Sequence, residues 1–264
     1  MSFLKKTLAS FGIGSAKVDS VLHQEVLIPG ETVAVTIHVY GGATEQAIDH
    51  INVKLCCQYV EEVVKKDRHT DAKRREKVKR QFVLDDWRLP YSFTINPSEE
   101  REFEVNLNVP WNTPVTIGDS KVWLETSLDI DNAIDPSDED RLTVRPDPIM
   151  DGIFSELEEQ GLRIRQVECE AAKGFELPFV QQFEFVPTTG PYHGLVREVE
   201  LLLYRDQDAL QIWVEIDRQK KGLGGMISRF IGNDEITHKL TITLPVDPVD
   251  AGQQVLGLID QLRG

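Results

Sequence analysis

Residues 18–59 read VDSVLHQEVLIPGETVAVTIHVYGGATEQAIDHINVKLCCQY and decide the fold class of the chain. Apolar side chains occupy every second position in two runs, first at Val33, Val35, Ile37 and Val39, then at Ile51, Val53, Leu55, Cys57 and Tyr59. A period of two is typical of half-buried β-strands. Pro29-Gly30 before the first run and Gly41-Gly42 after it supply the backbone freedom of turns. The stretch therefore predicts antiparallel strands of a β-sandwich.

The same alternation recurs through the rest of the chain. In the first half it predicts strands at residues 78–84, 91–95, 103–109, 122–128 and 141–145. In the second half it predicts strands at residues 162–167, 179–186, 195–204, 210–216 and 236–244. The chain is therefore predicted to be mainly β.

Helix signals appear at a few places between and around these runs. Asp147 is placed to cap a helix that begins at Pro148, and Asp247-Pro248 repeats the signal near the end of the chain. Leu4, Leu8 and Phe11 indicate a short amphipathic N-terminal helix. We therefore predict an N-terminal helix over residues 1–17, a β-sandwich domain over 18–146, and a second one with flanking helices over 147–264.

Composition excludes several classes of protein. The chain has 264 residues, of which 41% are hydrophobic and 28% charged, as in ordinary globular proteins. No run approaches the ~20 apolar residues that span a bilayer, and we expect a cytoplasmic protein. The three cysteines form neither a disulfide framework nor a zinc spacing. Cys57 lies on the apolar side of its strand, and Cys56 faces the other way.

Charge is distributed unevenly along the chain. The formal net charge is −15, which argues against general nucleic-acid binding. Residues 65–80, here called the basic arm, nevertheless carry nine Lys or Arg and three Asp or Glu, a local +6, so the remainder carries −21. One interpretation is a solvated hairpin tip whose charges discourage edge pairing. The other is a docking arm for an acidic partner, a nucleic acid or an anionic membrane face, through Lys73, Arg74, Arg75, Lys77, Lys79 and Arg80.

A second candidate docking surface follows residue 217. The segment GLGGMISRFIG, residues 222–232, combines glycines with apolar side chains, and Arg218, Lys220 and Lys221 precede it. The spacing lacks the Lys and Ser or Thr of a phosphate-binding P-loop. We predict that its apolar side chains contact a partner protein, with Leu223, Met226 and Phe230 as the leading candidates.

Motifs for catalysis or metal binding are missing from the sequence. The six histidines are scattered singly, and we expect structural roles for His38 and His238. Asp129, Asp138 and Asp140 belong to an acidic stretch, but Ile134 occupies the position where a calcium-binding EF-hand loop requires Gly. We therefore predict a solvated acidic loop there, no metal, no cofactor and no enzymatic activity.

Several segments together resemble a known family. Pro-Gly-Glu before a strand and Gly-Gly after it are similar to the opening of the arrestin fold. The N-terminal SFLKKTLASFGIGSAKVD, the segment at residues 111–148, the LPFVQQFEFVP strand and the GLGGMISRFIGNDE loop resemble bacterial sporulation-control proteins of the stage-zero M type. The resemblance implies two arrestin-like β-sandwiches and a regulatory role in early sporulation, or in cell division and shape. The phosphate-sensing polar core of animal arrestins has no matching motif here.

These observations converge on a non-enzymatic regulatory protein that acts through contacts with one or more partner proteins. One alternative is a membrane-surface adaptor that uses residues 1–16 and 65–80. Another is a metal-dependent enzyme that uses the acidic stretch at residues 129–140 together with a histidine.

Overall fold

The computed structural model describes residues 14–66, 73–130, 135–217 and 238–263. Within these ranges the chain contains fourteen strands and two helices. The predicted mainly β fold with two tandem strand-rich units is confirmed. Residues 1–13 of the predicted N-terminal helix and the segment around residue 230 lie outside the described residues. The end of that prediction is wrong, because residues 14–16 are not helical and Lys17 begins a strand.

The N-terminal unit is a β-sandwich of nine strands. They are β1 (Lys17–Leu22), β2 (Val26–Leu27), β3 (Thr32–Tyr40), β4 (Gln46–Lys66), β5 (Lys73–Leu89), β6 (Phe93–Ile95), β7 (Glu100–Asn108), β8 (Val122–Ile130) and β9 (Ser137–Val144). One sheet has the order β1-β3-β7, and the other places β4, β8, β9 and β2 side by side. Strands β5 and β6 pair with the opposite edge of β4.

Period-two alternation explains how the two sheets pack. Every second residue of β3, from Val33 to Val39, is almost completely buried, as are Ile51, Val53 and Leu55 on β4. A buried hydrogen bond of 2.7 Å between the Ser20 and Thr126 hydroxyl groups joins β1 to β8 across the core. The strands predicted from residues 18–59 are thus confirmed.

Three strand predictions had the wrong boundaries. A single strand, β5, begins at Lys73 and runs through the region predicted as residues 78–84. Strand β6 begins at Phe93, two residues after the predicted start at residue 91. Strand β9 begins at Ser137, ahead of the predicted start at residue 141. The acidic loop predicted within residues 129–140 is therefore shorter than expected, because Asp138 and Asp140 belong to β9. The charged residues in β5 and β9 extend because the neighbouring strand supplies hydrogen bonds, which side-chain periodicity does not reveal.

Gly30 has a specific steric role beside β3. Its φ of +85° lies in the left-handed region, and a Cβ atom there would stand 2.0 Å from the ring of Trp111. Glycine is the residue that meets both conditions. The turn before β3 and the loop after β7 are thereby packed directly against each other.

The C-terminal unit contains one antiparallel sheet and two helices within the described residues. Its elements are α1 (Pro148–Glu159), β10 (Leu162–Ala171), β11 (Phe179–Pro187), β12 (Glu198–Arg205), β13 (Ala209–Asp217), β14 (His238–Thr243) and α2 (Pro248–Arg263). The five strands pair in sequence order. As predicted, Asp147 caps α1, and its carboxylate accepts hydrogen bonds from the backbone N–H groups of Ile149 and Met150.

The two helices pack together on one face of this sheet. The Phe154 ring lies 4.8 Å from the Phe183 ring and 5.7 Å from the Phe185 ring, measured between centroids. Gly152 lets the backbone of α1 approach Pro248 at the start of α2, since a Cβ atom would stand 2.4 Å from the Pro248 Cβ. One apolar cluster runs through this unit and the N-terminal sandwich.

Candidate functional site

Strands β4 and β5 form a long hairpin that carries most of the basic arm. Their register runs from Ile51 opposite Leu89 to Lys66 opposite Lys73, with one bulge after Leu55. Strand β8 pairs with β4 only as far as Cys57. The hairpin therefore extends beyond the N-terminal sheet, and we call residues 58–66 and 73–81 the outer hairpin.

Several predicted docking residues form ion pairs within the outer hairpin. Arg80 contacts Glu61 at 2.8 Å, Arg75 contacts Glu62 at 3.1 Å, and Lys65 contacts Glu76 at 2.8 Å. These side chains are well exposed, so each pair is worth under ~1 kcal/mol. The pairs favour the extended hairpin but leave its cations within reach of other molecules.

Lys77 links the outer hairpin to the C-terminal unit. Its ammonium group lies 3.1 Å from Glu170 and 3.7 Å from Glu168, both on β10. Burial opposes the charged form, but hydrogen bonding and attraction from Glu170 and Glu168 outweigh it and raise the pKa of Lys77. Beside this contact, β10 and β4 pair in parallel at Glu170 and Val60, which joins the sheets of the two units.

Aromatic contacts support the same connection at the base of the outer hairpin. Tyr59 stacks on Phe179 of β11 at 5.4 Å, and Phe82 meets the same ring edge-on at 5.8 Å. Phe179 itself is 2% exposed. The base of the outer hairpin is therefore part of the core, whereas its far end is solvated.

Arg74 and Lys79 differ from the other cations of the arm. Both are exposed, and neither forms an ion pair with any residue that the structure describes. Lys73 begins β5, but its side chain lies outside the described residues. Within the described sheet β5 pairs only with β4, so its other edge is open. An open edge flanked by free cations can bind an acidic segment through both backbone and side chains.

The second predicted surface lies outside the described residues. Leu223, Met226 and Phe230 fall between the end of β13 at Asp217 and the start of β14 at His238. Their role as partner-binding residues stays a prediction.

Sequence reasoning missed a charged junction between the two units. Arg205, at the end of β12, places its guanidinium 2.5 Å from the Asp147 carboxylate and 4.1 Å from the centre of the Trp111 ring. The Asn112 side chain exchanges two 2.8 Å hydrogen bonds with the backbone of Arg205. Asp147 thus caps α1 and also pairs with Arg205 of the same unit. Residues 111 and 112 belong to the N-terminal unit, so the junction fixes one unit on the other.

The loop that contains Trp111 makes a second contact with the C-terminal sheet. The Gln181 side chain accepts a hydrogen bond from the Val115 N–H at 2.9 Å and donates one to the Val115 carbonyl at 2.8 Å. It also donates to the Ser120 hydroxyl at 3.1 Å. The one sequence signal for this junction is that residues 111–120 lie in the segment that carries the family resemblance.

The acidic stretch at residues 129–140 contributes to a different arrangement from the one its composition suggests. The His50 Nε2 atom lies 2.9 Å from the Asp129 carboxylate, and Arg88 lies 3.0 Å from His50 Nδ1. These three residues come from adjacent strands β8, β4 and β5. Asp129 is thus engaged in a cross-strand contact with the His50 imidazole.

All three thiols are buried. Cys57 is fully buried as predicted, and burial, as the largest cause, raises its thiol pKa well above the ordinary range. Burial likewise raises the pKa of Cys169 to about 12 and that of Cys56 to about 11. Cys56 lies opposite Trp123 in the register, and both are buried although outside the main core. The thiols are therefore protonated and shielded at neutral pH.

Two helices lie within the part of the chain that the structure describes. Neither of them combines the length and the apolar character that crossing a bilayer requires.

Comparison with known proteins identifies close relatives. Residues 4–220 match the family model described as SpoOM protein. The sporulation-control protein spo0M of Bacillus subtilis (strain 168) is 40% identical over 237 residues, which cover 89% of this chain and 88% of the relative. The crystal structure of Spo0M, sporulation control protein, from Bacillus subtilis superposes with a TM-score of 0.79 at 35% identity. That comparison covers 94% of this chain and 99% of the crystal structure.

Proposed function

The chain belongs to the SpoOM protein family, and on that basis we propose that it is a regulatory protein of sporulation that acts through protein contacts without catalysing a reaction. The relative named as a sporulation-control protein supports the regulatory role. The sequence carries none of the common catalytic fingerprints, which supports a binding function. We propose a cytoplasmic location on the basis of the same relative.

The observation that carries the mechanism is the exposed positive charge of the outer hairpin. Arg74 and Lys79 form no ion pair with a described residue and lie on an open-edged strand, while the chain as a whole carries −15. Positive charge on an acidic protein attracts an acidic partner to one place and repels it elsewhere. Lys73, Arg75, Lys77 and Arg80 surround these two cations and add to the local potential. We infer that the partner presents an acidic extended segment to the edge of β5.

A second surface around Leu223, Met226 and Phe230 is retained as a candidate for apolar contacts with a partner. Its support is the sequence pattern of apolar side chains next to Arg218, Lys220 and Lys221. Aromatic and Met side chains are enriched at protein interfaces.

Charge reversal on the outer hairpin tests the proposed partner contact. We would capture partners from the native cell with the wild-type chain, with Arg74→Glu/Lys79→Glu, and with the control Lys121→Glu/Lys173→Glu. Lys121 and Lys173 are exposed lysines outside the hairpin, so both variants change the net charge equally. The partner should be lost from the hairpin variant alone, and its capture by the wild type should weaken as salt rises. Equal loss in both variants would indicate a nonspecific charge effect and exclude this surface.

Genetic replacement tests the regulatory role separately. The wild-type chain, expressed in a Bacillus subtilis strain that lacks its own spo0M protein, should shift the frequency of spore formation toward that of the parent strain. The Arg74→Glu/Lys79→Glu variant should fail to do so at equal protein abundance. If both chains restore sporulation equally, the family role stands and the docking surface lies elsewhere.

A further inference from the structure

The outer face of the three-stranded sheet places a histidine beside two glutamates. His38 on β3 lies directly opposite Glu102 on β7, and its neighbour Tyr40 lies opposite Glu100. Alternate residues of β3 point into the core, so His38 points away from it. The register therefore brings an imidazole and two carboxylates together on one exposed surface.

Distances within this group define a compact set of donor atoms. The His38 Nδ1 atom lies 3.5 Å from Glu100 Oε1 and 3.3 Å from Glu102 Oε1. All three donor atoms lie within 4.8 Å of one another. His38 Nδ1 is shielded from solvent and forms no hydrogen bond with any described residue. A basic nitrogen thus faces two carboxylates without a hydrogen bond to either of them.

The spacing matches that of metal ligands. Zinc binds imidazole nitrogen and carboxylate oxygen at about 2.0–2.2 Å in tetrahedral geometry, which places ligand atoms roughly 3.3–3.5 Å apart. The two observed distances from Nδ1 fall in that range. A direct charged hydrogen bond would instead bring one carboxylate to about 2.7–2.9 Å.

We propose that His38, Glu100 and Glu102 form a binding site for a divalent transition-metal ion, with Zn²⁺ as the best match. The imidazole selects against Mg²⁺ and Ca²⁺, which prefer oxygen ligands alone. The two carboxylates supply the charge that compensates the ion. Three protein ligands leave the fourth tetrahedral position for water or for a ligand from another molecule.

The surrounding structure orients the His38 ligand. The His38 ring stacks on Tyr40 with 6.2 Å between centroids and an interplanar angle of 10°. On either side of His38, Ile37 and Val39 are fully buried and hold the strand in place.

Titration with zinc alone tests this site. The chelator-treated full chain would be titrated with Zn²⁺ in a calorimeter at neutral pH, and one ion should bind per chain. His38→Gln and Glu102→Gln should each weaken binding by at least ~10-fold, because losing even an outer-shell partner costs 10–100-fold. An excess of Mg²⁺ should leave the affinity for Zn²⁺ unchanged.

His23→Gln is the matched control. His23 lies beside the same sheet, and its Nε2 atom contacts the Thr36 hydroxyl at 2.7 Å, without a carboxylate. This variant should bind zinc as the wild type does, and circular dichroism should show that every variant is folded. In the wild type, the ¹⁵N resonance of His38 Nδ1 should shift on addition of Zn²⁺. Absence of zinc binding, or equal binding in all variants with an unmoved His38 resonance, would overturn the site and leave His38 as a partner of the two glutamates alone.

Discussion

In the outer hairpin, Arg75 pairs with Glu62 while its side chain is 77% exposed; at the junction between the two units, Arg205 pairs with Asp147 while 12% exposed. The two pairs have similar chemistry and opposite surroundings. Water screens the first pair and supplies alternative hydrogen bonds to both partners. At the second, the protein has replaced water, and each charge depends on the other.

The difference separates two uses of charge in one chain. Exposed ion pairs open at little free-energy cost, so the outer hairpin can exchange an internal glutamate for a partner's carboxylate. The buried pair with Asp147 holds Arg205 where it meets Trp111 and Asn112 of the N-terminal unit, and its loss would leave a buried charge. Four experiments test whether this contrast holds.

The largest effect is expected from Arg205→Ala at the junction. It leaves the Asp147 carboxylate, 2% exposed, without its cation, and removes the guanidinium from the face of Trp111. We expect a loss of about 3–5 kcal/mol in the free energy of unfolding, measured by urea denaturation. The control Arg163→Ala removes an exposed arginine that pairs with Glu158 and should cost under ~1 kcal/mol. Equal effects of the two substitutions would remove the contrast between buried and exposed pairs.

Gly30→Ala tests the packing that holds Trp111 at the junction. Its Cβ atom would overlap the indole ring and would also sit on a residue with positive φ. We expect a cost of about 2–4 kcal/mol from overpacking and backbone strain together. Gly174→Ala provides the control, because Gly174 has a φ of +87° and open space around it. Gly174→Ala should cost about 1–2 kcal/mol from backbone strain alone. If Gly30→Ala costs no more than this, the Trp111 ring moves aside to accommodate the added methyl group.

Alkaline titration tests the burial of two thiols, Cys57 on β4 and Cys169 on β10, near the base of the outer hairpin. The pKa values of Cys57 and Cys169 are raised in the folded state, so the unfolded chain releases these protons first as pH rises above about 9. Stability should therefore fall between about pH 9 and 12, by up to about 1.4 kcal/mol per pH unit for each thiol. Cys57→Ala should make the fall of stability with pH less steep, by up to about 1.4 kcal/mol per pH unit. Unfolding curves at several pH values measure it, and rapid labelling of native Cys57 by a thiol reagent would contradict the buried register.

The smallest effect is expected from Lys77, through which the outer hairpin contacts β10. Lys77→Ala removes the contacts with Glu168 and Glu170, but Lys77 is 59% exposed. We expect the free energy of unfolding to change by under ~1 kcal/mol, measured as a small shift of the thermal midpoint. Arg74→Ala, which removes a cation that forms no ion pair with a described residue, should leave the midpoint unchanged. A loss of stability for Lys77→Ala comparable to that for Arg205→Ala would show that the ion pairs of the outer hairpin stabilise the fold as strongly as the buried pair does.

Period-two alternation predicted most of the strands because one face of each is buried. Val33 to Val39 and Leu210 to Val214 illustrate this, since their apolar side chains are almost completely buried. Asp147 was also predicted as a helix cap, because the cap depends on residues two and three positions away. Local patterns of this kind are visible in a single sequence.

The contacts that join the two units could not be predicted in that way. Lys77 and Glu170 are separated by 93 residues, as are Asn112 and Arg205. Residues 73–79 lack an apolar face, so their strand depends on pairing with β4. Charge composition located the basic arm, but it did not reveal which cations are paired within the chain and which are free.

The backbone pairing of Val60 with Glu170 has a consequence for synthesis of the protein. A ribosome that adds 5–20 residues per second completes Glu170 roughly 5–20 s after Val60 has been made. During that interval the outer part of β4 has β5 as its pairing partner while β10 is still being translated. The glutamate, lysine and arginine ladder along β4 and β5 is available at once, because it forms within the hairpin. Because charged side chains discourage the pairing of an open strand edge with other chains, we expect this ladder to protect the nascent hairpin until β10 has left the exit tunnel.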